Sequence, residues 1–302
     1  MVCKTAKATL TPIELNHGET LCFTRADGVE VKLKLLHTAG EVVSTDMPSL
    51  DAPISRARTV YRFWAEVELD GVPHRLEREV PTQRSFYEPW EVGGLRIWFD
   101  SAACIFKAGG GFLMEKDAKG VGMERLCMPN KDARFAVQDM ALDICPEVLH
   151  PWMPLPVGGL RIEDCYRGED CWMGTYDGIC AHGGLDINHE VGLPLYAPFA
   201  LDEQYYFNSL AAGDLNNRWR GIRRWDARTT WIIQAHHMIE LVVPEHTPLA
   251  RGEQFARGAG VYSGEVHHSH FVFRIEEDGE TFFLDPWILF WRMFQEKNRE
   301  GF

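Results

Sequence analysis

The sequence predicts a mainly β protein, because short runs rich in β-branched and aromatic residues recur along the chain with turn residues between them. Two Asp-Gly pairs, Asp27-Gly28 and Asp70-Gly71, join such runs, and this dipeptide is a strong hairpin signal. Apolar residues also alternate with polar ones, as on a strand with one buried face. The clearest predicted strands of the first half are Leu21–Thr24, Val29–Leu36, Tyr61–Leu69, Val72–Val80, Leu95–Phe99, Ala103–Phe106 and Ala133–Val137.

The length of 302 residues favours two domains. Four prolines between residues 146 and 156 predict a linker, because proline fixes φ and donates no backbone hydrogen bond. We therefore expect an N-terminal β-sandwich-like or barrel-like domain over residues 1–150, whose role the sequence does not indicate. Residues 151–302 form the second predicted domain.

The second domain is also predicted to be mainly antiparallel β-structure, followed by a short C-terminal helix. Apolar residues at 288, 289, 291 and 294 have helical spacing. A loop that enters a strand at Leu185–Ile187 is expected near its start. The other predicted strands are Pro194–Ala197, Thr229–Ala235, Ile239–Val243, His268–Ile275 and Thr281–Leu284.

The composition argues against nucleic acid as a partner, since the formal net charge is -13 and nucleic-acid-binding proteins usually carry a basic patch. The densest basic run holds Arg218, Arg220, Arg223 and Arg224, and we interpret it as a solvated loop or helix face. The first fifteen residues lack a continuous apolar segment, so no signal peptide is predicted. No stretch is apolar over the length that a membrane span requires.

The eight cysteines include no C-x-x-C pair, which argues against a zinc ribbon or a redox motif. Cys165, Cys171 and Cys180 lie close together in the sequence. A disulfide that closes this loop and reduced, packed thiols both remain open.

Three segments of the second domain concentrate metal-ligand side chains: His182 to Ile187, Gln234 to Met238, and His267 to Phe271. In a strand, His268 and His270 point to the same face, opposite Phe271. Zinc binds histidine nitrogen and aspartate oxygen, and a catalytic zinc has three protein ligands and an open position. His182, Asp186 and one histidine of the third segment meet that requirement.

Together these segments resemble the lysostaphin/LytM family of zinc metallopeptidases, over roughly residues 155 to 290. The family's His-x-Gly-x-Asp motif and later Ala-Pro correspond to HGGLDINHEVGLPLYAP, residues 182 to 198. Its middle strand ending in histidine and an apolar residue corresponds to HHMIELVVPEHTPLARGEQFA, residues 236 to 256. Its His-Leu-His-Phe motif corresponds to His268-Ser269-His270-Phe271, with Ser269 in place of leucine on the far face of the strand.

The resemblance implies residue roles and an activity. His182, Asp186 and His270 match the Zn²⁺ ligands, and His268 matches a catalytic histidine beside the metal. A second catalytic histidine matches His237, which keeps the family spacing to Gly252 better than His236. Tyr176, six residues before the first ligand, matches a tyrosine that steadies the developing oxyanion in some members.

The implied function is zinc-dependent endopeptidase activity on peptidoglycan cross-bridges or stem peptides. Such an activity implies a periplasmic or extracellular location, although no signal peptide is visible, and the compartment stays open. Two alternatives also remain open: a catalytically silent peptidoglycan-binding or regulatory module on the same fold, and a peptidase that acts on a peptide outside the cell wall.

Overall fold

The structure, a computed structural model, describes residues 1–46, 58–104, 127–176, 180–208, 217–259 and 267–300. The described chain is mainly β with one C-terminal helix, as the sequence predicts. It divides into two compact units, one of Met1–Pro146 with Trp172–Gly183 and the other of Glu147–Cys171 with Gly184–Phe302. Among the described residues, no helix has both the length and the apolar character needed to span a membrane.

The first unit is built from two sheets. Its main strands are β1 (Val2–Thr5), β2 (Thr11–Leu15), β3 (Thr20–Thr24), β4 (Glu30–Thr45), β5 (Thr59–Leu69), β6 (Val72–Val80), β7 (Trp90–Val92), β8 (Leu95–Ala102) and β9 (Ala133–Asp139). One sheet has the order β1-β3-β4-β5-β6 and the other the order β2-β9-β8-β7. The ring of Phe63 on β5 packs 5.3 Å from that of Phe99 on β8, so the two sheets share a core as in the predicted sandwich.

Both predicted Asp-Gly hairpins are present in this unit. Gly28 and Gly71 have φ values of 85° and 83°, which glycine adopts without the steric cost that a Cβ atom brings. The predicted strand Ala103–Phe106 is wrong at its start, because residues 103 and 104 form a turn. Its last two residues lie outside the described part of the chain. This unit also contains the short hairpin of β10 (Thr175–Tyr176) and β11 (Cys180–Ala181).

The second unit contains a six-stranded sheet, a three-stranded sheet and a helix. Its elements are β12 (Leu185–Asn188), β13 (Pro194–Tyr196), β14 (Glu203–Asn208), β15 (Arg218–Arg224), β16 (Thr229–His236), β17 (Met238–Leu241), β18 (Gln254–Gly258), β19 (His268–Glu277), β20 (Glu280–Leu284) and α1 (Trp287–Glu300). The larger sheet has the order β12-β19-β16-β15-β14, with β20 also paired to β19, and the smaller one has the order β13-β18-β17.

The two faces of β19 have different environments. Phe271 on one face packs against Trp152 and against Phe290 of α1, with ring centroids 4.7 Å and 5.3 Å away. Phe273 and Ile275 continue this buried face. The opposite face carries His268 and His270, as strand alternation predicts. The aromatic core therefore holds the strand that presents both histidines.

Two features bear on the sequence analysis. One contradicts its interpretation of the arginine-rich run, and the other concerns the disulfide that it left open. The arginine-rich run is neither a loop nor a helix but strand β15, in which Trp219 is fully buried. The strand was missed because arginine stems can cover a sheet while their charged ends stay solvated. Neither Cys165 nor Cys171 forms a disulfide, whereas the Cys180 side chain lies outside the described residues.

Candidate metal centre

Strand register places three ligand-type side chains in one row across the larger sheet. Asp186 on β12 is directly opposite His270 on β19, and His270 is directly opposite His236 on β16. Residues opposite each other on neighbouring antiparallel strands point to the same face. Asp186, His270 and His236 therefore lie side by side, about 4.8 Å apart from strand to strand.

The Asp186 carboxylate lies between two imidazole rings. Its Oδ1 is 2.6 Å from Nδ1 of His270, and its Oδ2 is 3.6 Å from Nε2 of His268. All three side chains are buried. Because a buried carboxylate is costly without a compensating charge or hydrogen bond, these two contacts explain how Asp186 is accommodated.

His182 completes a group that can hold a metal ion. One ligand atom from each of His182, Asp186 and His270 lies within 4.8 Å of the other two. The His182 backbone is held on both sides, because its N–H donates to the carbonyl of Gly174 and its carbonyl accepts from Met173. The three residues that the sequence predicts as ligands are therefore brought together.

Gly184, between the first two predicted ligands, leaves room for the third. A Cβ atom at this position would lie 2.3 Å and 2.6 Å from Cε1 and Nε2 of His270, distances at which something must move. The first motif thus includes a glycine against which the His270 ring packs. Glycine is therefore required at position 184 because there is no room for a Cβ atom, and not because the backbone has a positive φ there.

His236 and His237 both lie near the predicted metal ligands, but in different ways. The His236 ring stacks on that of His270 at 4.5 Å, whereas the His237 ring meets His268 edge-on at 4.9 Å. His237 has a φ of 65°, a left-handed conformation that is uncommon outside glycine and recurs at functional sites. It lies where the chain leaves β16 and enters β17 of the smaller sheet. Both residues therefore remain candidates for the second catalytic histidine that the family resemblance implies.

Two residues that contact these histidines could not be predicted from the sequence. Tyr166, in the 3-10 turn Tyr166–Gly168, stacks on His268 with ring centroids 4.1 Å apart. Asn217 accepts from the Met238 backbone through Oδ1, and its own carbonyl accepts from the His237 N–H. No local pattern predicts either residue, because each reaches the histidines through folding of distant segments.

Ser269, which stands where the resemblance expects leucine, has a specific partner. Its Oγ lies 2.7 Å from Nε2 of His189, whose Nδ1 lies 2.7 Å from the carbonyl oxygen of Glu190. A carbonyl only accepts, so Nδ1 carries the proton and Nε2 accepts from the serine hydroxyl. Burial lowers the pKa of His189, which favours this neutral form.

Cys165 lies near the metal-ligand group, since its backbone pairs with that of Ile187 next to Asp186. Burial raises the pKa of the Cys165 thiol well above its usual value, and the nearby Cys171 and Asp186 raise it further. Among the described residues, the group whose ligand atoms lie within 4.8 Å of one another consists of His182, Asp186 and His270 and does not include Cys165.

The residues fit a zinc ion by the chemistry of their donors. Two imidazoles and one carboxylate are a zinc ligand set, and three protein ligands leave a fourth position for water or substrate. The glycine at 184, which gives the His270 ring its space, agrees with that arrangement. Tyr176 is less defined: its backbone lies in β10, paired with Cys180, and its side chain lies outside the described residues.

Comparison with known proteins gives matches among solved structures alone. No family model and no curated protein sequence matches this chain. The antimicrobial peptidase lysostaphin from Staphylococcus simulans is 14% identical, with 48% of this chain and 50% of that chain covered and a TM-score of 0.29. The chain therefore spans about half the length of lysostaphin.

Two further solved structures align over most of the chain. A proposed M23 peptidase from Pseudomonas aeruginosa is 12% identical over 95% of both chains, with a TM-score of 0.31. A zinc-containing peptidase from Vibrio cholerae is 12% identical over 84% of both chains, with a TM-score of 0.32. These identities and TM-scores are too low to assign a family or an activity.

Proposed function

We propose that this protein is a zinc-dependent endopeptidase that hydrolyses peptide bonds in peptidoglycan cross-bridges or stem peptides, with residues 151–302 as its peptidase domain. The observation that carries the proposal is the buried group of His182, Asp186 and His270, whose ligand atoms lie within 4.8 Å of one another. Two further histidines beside this group, His237 and His268, supply the proton-transfer chemistry that a ligand set alone lacks.

The three ligands would hold Zn²⁺ with one coordination position open. A zinc ion bound there supplies Lewis acidity, which activates water and polarises a peptide carbonyl. Hydrolysis also requires a base that accepts a proton from water and an acid that protonates the leaving amine. Imidazole suits both tasks near neutral pH, since the neutral ring accepts the proton from water and the imidazolium so formed donates it to the leaving amine.

His237 and His268 are the residues we assign to proton transfer. Their rings lie 4.9 Å apart, and both are buried beside the ligand group. Stacking of Tyr166 on one face of His268 limits the rotation of that ring. His236 is the alternative to His237, since its ring contacts His270 directly. Tyr176 is assigned to stabilising the oxyanion that develops on the substrate carbonyl.

The first test is metal content. We expect purified protein to hold about one zinc ion per chain, and we expect His270→Ala to lose it, because two remaining ligands do not make a stable site. Zinc is measured by elemental analysis after extensive dialysis. His37→Ala, which changes an exposed histidine, is the matched control and should keep zinc. Absence of zinc from the wild-type protein after loading would refute the metal site.

The second test is hydrolysis of purified sacculi of several cross-link types, with mass analysis of the released fragments. We expect His237→Ala to keep zinc and lose fragment release, since the base is removed and the ligands stay. If His237→Ala remains active and His236→Ala does not, the base is His236. Wild-type protein that binds zinc and sacculi but releases nothing would support the silent binding module. Cleavage of unrelated peptides alone would support a substrate outside the wall.

A further inference from the structure

The larger sheet continues beyond the metal row with arginines that face the same side. Arg218 on β15 is directly opposite His236, and Arg220 is directly opposite Gln234. Because alternate strand residues share a face, Arg218 and Arg220 both lie on the face that carries His270. Two strand spacings, about 10 Å, separate the Arg218 backbone from that of His270.

These two arginines differ from the other two on the same strand. Arg223 pairs with Glu147 and Asp202, and Arg224 pairs with Glu203. By contrast, Arg218 and Arg220 have no carboxylate partner within the described residues. This is unexpected in a chain with a formal net charge of -13, where acidic partners outnumber basic ones.

The surroundings of Arg220 hold its guanidinium in place without neutralising it. The group lies 4.4 Å from the centroid of the Phe207 ring, and Nη1 donates to the Tyr205 hydroxyl at 3.3 Å. The Nε atoms of Arg218 and Arg220 are buried, while both side chains remain partly exposed. Each guanidinium group therefore has a buried Nε without a hydrogen-bond partner among the described residues, on a side chain that is still partly exposed.

A third arginine on this face interacts with Arg220. Arg274 lies on β19, four residues beyond His270, and it donates to Glu276 at 2.9 Å. Burial lowers the pKa of Arg274, and the positive charge of Arg220 lowers it further. The two guanidinium groups therefore repel each other across the sheet, and an added anion would relieve that repulsion.

Resting on the proposed peptidase function, we propose that Arg218 and Arg220 form a substrate subsite that binds a carboxylate of the peptide within about three residues of the cleaved bond. The reach follows from the two strand spacings, since an extended peptide rises about 3.3 Å per residue. Guanidinium matches carboxylate geometry through paired N–H donors. The subsite selects acidic peptides, such as stem peptides with free carboxylates, over amidated or uncharged ones.

The test compares matched peptides for binding and cleavage. The probes are the stem tripeptide L-Ala-γ-D-Glu-L-Lys with free carboxylates, the same peptide amidated at its C-terminus alone, and the fully amidated peptide. Binding to zinc-loaded protein is measured by calorimetry, and cleavage is measured on stem-peptide dimers before and after amidation. Comparison of the two amidated tripeptides distinguishes a terminal carboxylate from an internal one.

We expect Arg220→Gln to weaken binding of the carboxylate peptide roughly 10- to 100-fold and to leave the fully amidated peptide unchanged. Arg220→Lys should retain part of the preference, since it keeps the charge and loses the paired donors. The matched control is Arg224→Gln, which removes the same charge from the same strand and should change neither peptide. Zinc content of each variant confirms that the site remains folded.

Two outcomes would overturn the subsite. One is wild-type protein that binds free and amidated peptides equally, a result that needs no variant. The other is an equal loss for both peptides in Arg220→Gln. The endopeptidase proposal is separable from these outcomes. If no peptide is cleaved but binding still depends on the carboxylate and on Arg220, the subsite stands and the peptidase activity fails.

Discussion

At the scale of single residues, the contact between Gly184 and His270 connects the first histidine motif to the last. The two positions are far apart in the sequence, yet a single added methyl group at 184 would collide with the imidazole ring. The backbone at Gly184 does not have a positive φ, so alanine there is disfavoured by the His270 ring and by the Phe271 carbonyl oxygen, which lies 2.8 Å from the added Cβ, and not by backbone strain.

We expect Gly184→Ala to weaken zinc binding at least tenfold while the fold is retained. The methyl group would displace the His270 ring or the adjacent Phe271 backbone, and zinc ligands must be placed within a few tenths of an ångström. Zinc affinity is measured by competition with a chromogenic chelator, and folding is measured by far-UV circular dichroism.

The matched control for this change is Gly258→Ala. It places a methyl group 2.5 Å from Cε1 of His189, so it also displaces a histidine ring without a positive φ, but outside the ligand group. Zinc affinity should be retained in this variant. Equal loss of affinity in both variants would mean that general disruption, and not the position of His270, sets the effect.

At the scale of elements, a strand could be predicted when its alternation of apolar and polar residues and its turn are visible in the local sequence. Val72–Val80 was predicted to the residue, because alternation and the Asp-Gly turn before it are visible in the sequence. Strand β15 was missed because its arginine stems lie on the sheet face, so that the run looks like a solvated surface. The arginines whose packing on the sheet made β15 hard to predict include Arg218 and Arg220, which form the proposed carboxylate subsite.

The candidate site follows the same rule. The pair His268 and His270 and the spacing from His182 to Asp186 are local, so the sequence predicts His182, Asp186 and one of the two other histidines as ligands. The choice of His270 came from the family resemblance. Tyr166 and Asn217 reach the histidines only through folding, and they could not be predicted. The choice between His236 and His237 depends on how the chain leaves β16, which includes a left-handed residue that no sequence pattern indicates.

His189, in the segment after β12, bonds to Ser269 on β19, and its titration predicts that the stability of the protein depends on pH. Burial lowers the pKa of His189 in the folded protein, so the unfolded chain takes up a proton at a higher pH than the folded one does. Stability should therefore fall as the pH drops below the unfolded value of about 6.5. The loss continues until the pH reaches the lowered folded pKa.

We expect His189→Gln to lose less stability than the wild-type protein between pH 7.5 and pH 5.5. The free energy of unfolding is measured in urea at both pH values with metal chelated, so that zinc release does not contribute. His37→Gln, at an exposed histidine, should behave as the wild type. An unchanged pH dependence in His189→Gln would show that this histidine does not contribute.

At the scale of the whole molecule, the ligand group draws on strands that are distant in the sequence. Asp186 and His270 lie on β12 and β19, and His236 lies on β16, so neighbouring strands of one sheet share the site. A ligand that binds the folded state alone stabilises it by an amount set by its concentration relative to its dissociation constant. Zinc should therefore act on the stability of this sheet as a whole.

We expect zinc at a hundredfold excess over its dissociation constant to stabilise the larger sheet by about 2.7 kcal/mol, because two of the three ligands lie on its strands and only the folded state brings all three together. Amide hydrogen exchange followed by mass spectrometry should show exchange slowed about a hundredfold in peptides from β12, β16 and β19. Peptides from β3 to β6 in the first unit serve as the internal control and should exchange at the same rate with and without zinc. Uniform protection of both sets would contradict a stabilisation centred on the larger sheet, and no protection in either set would contradict zinc binding by the folded ligand group.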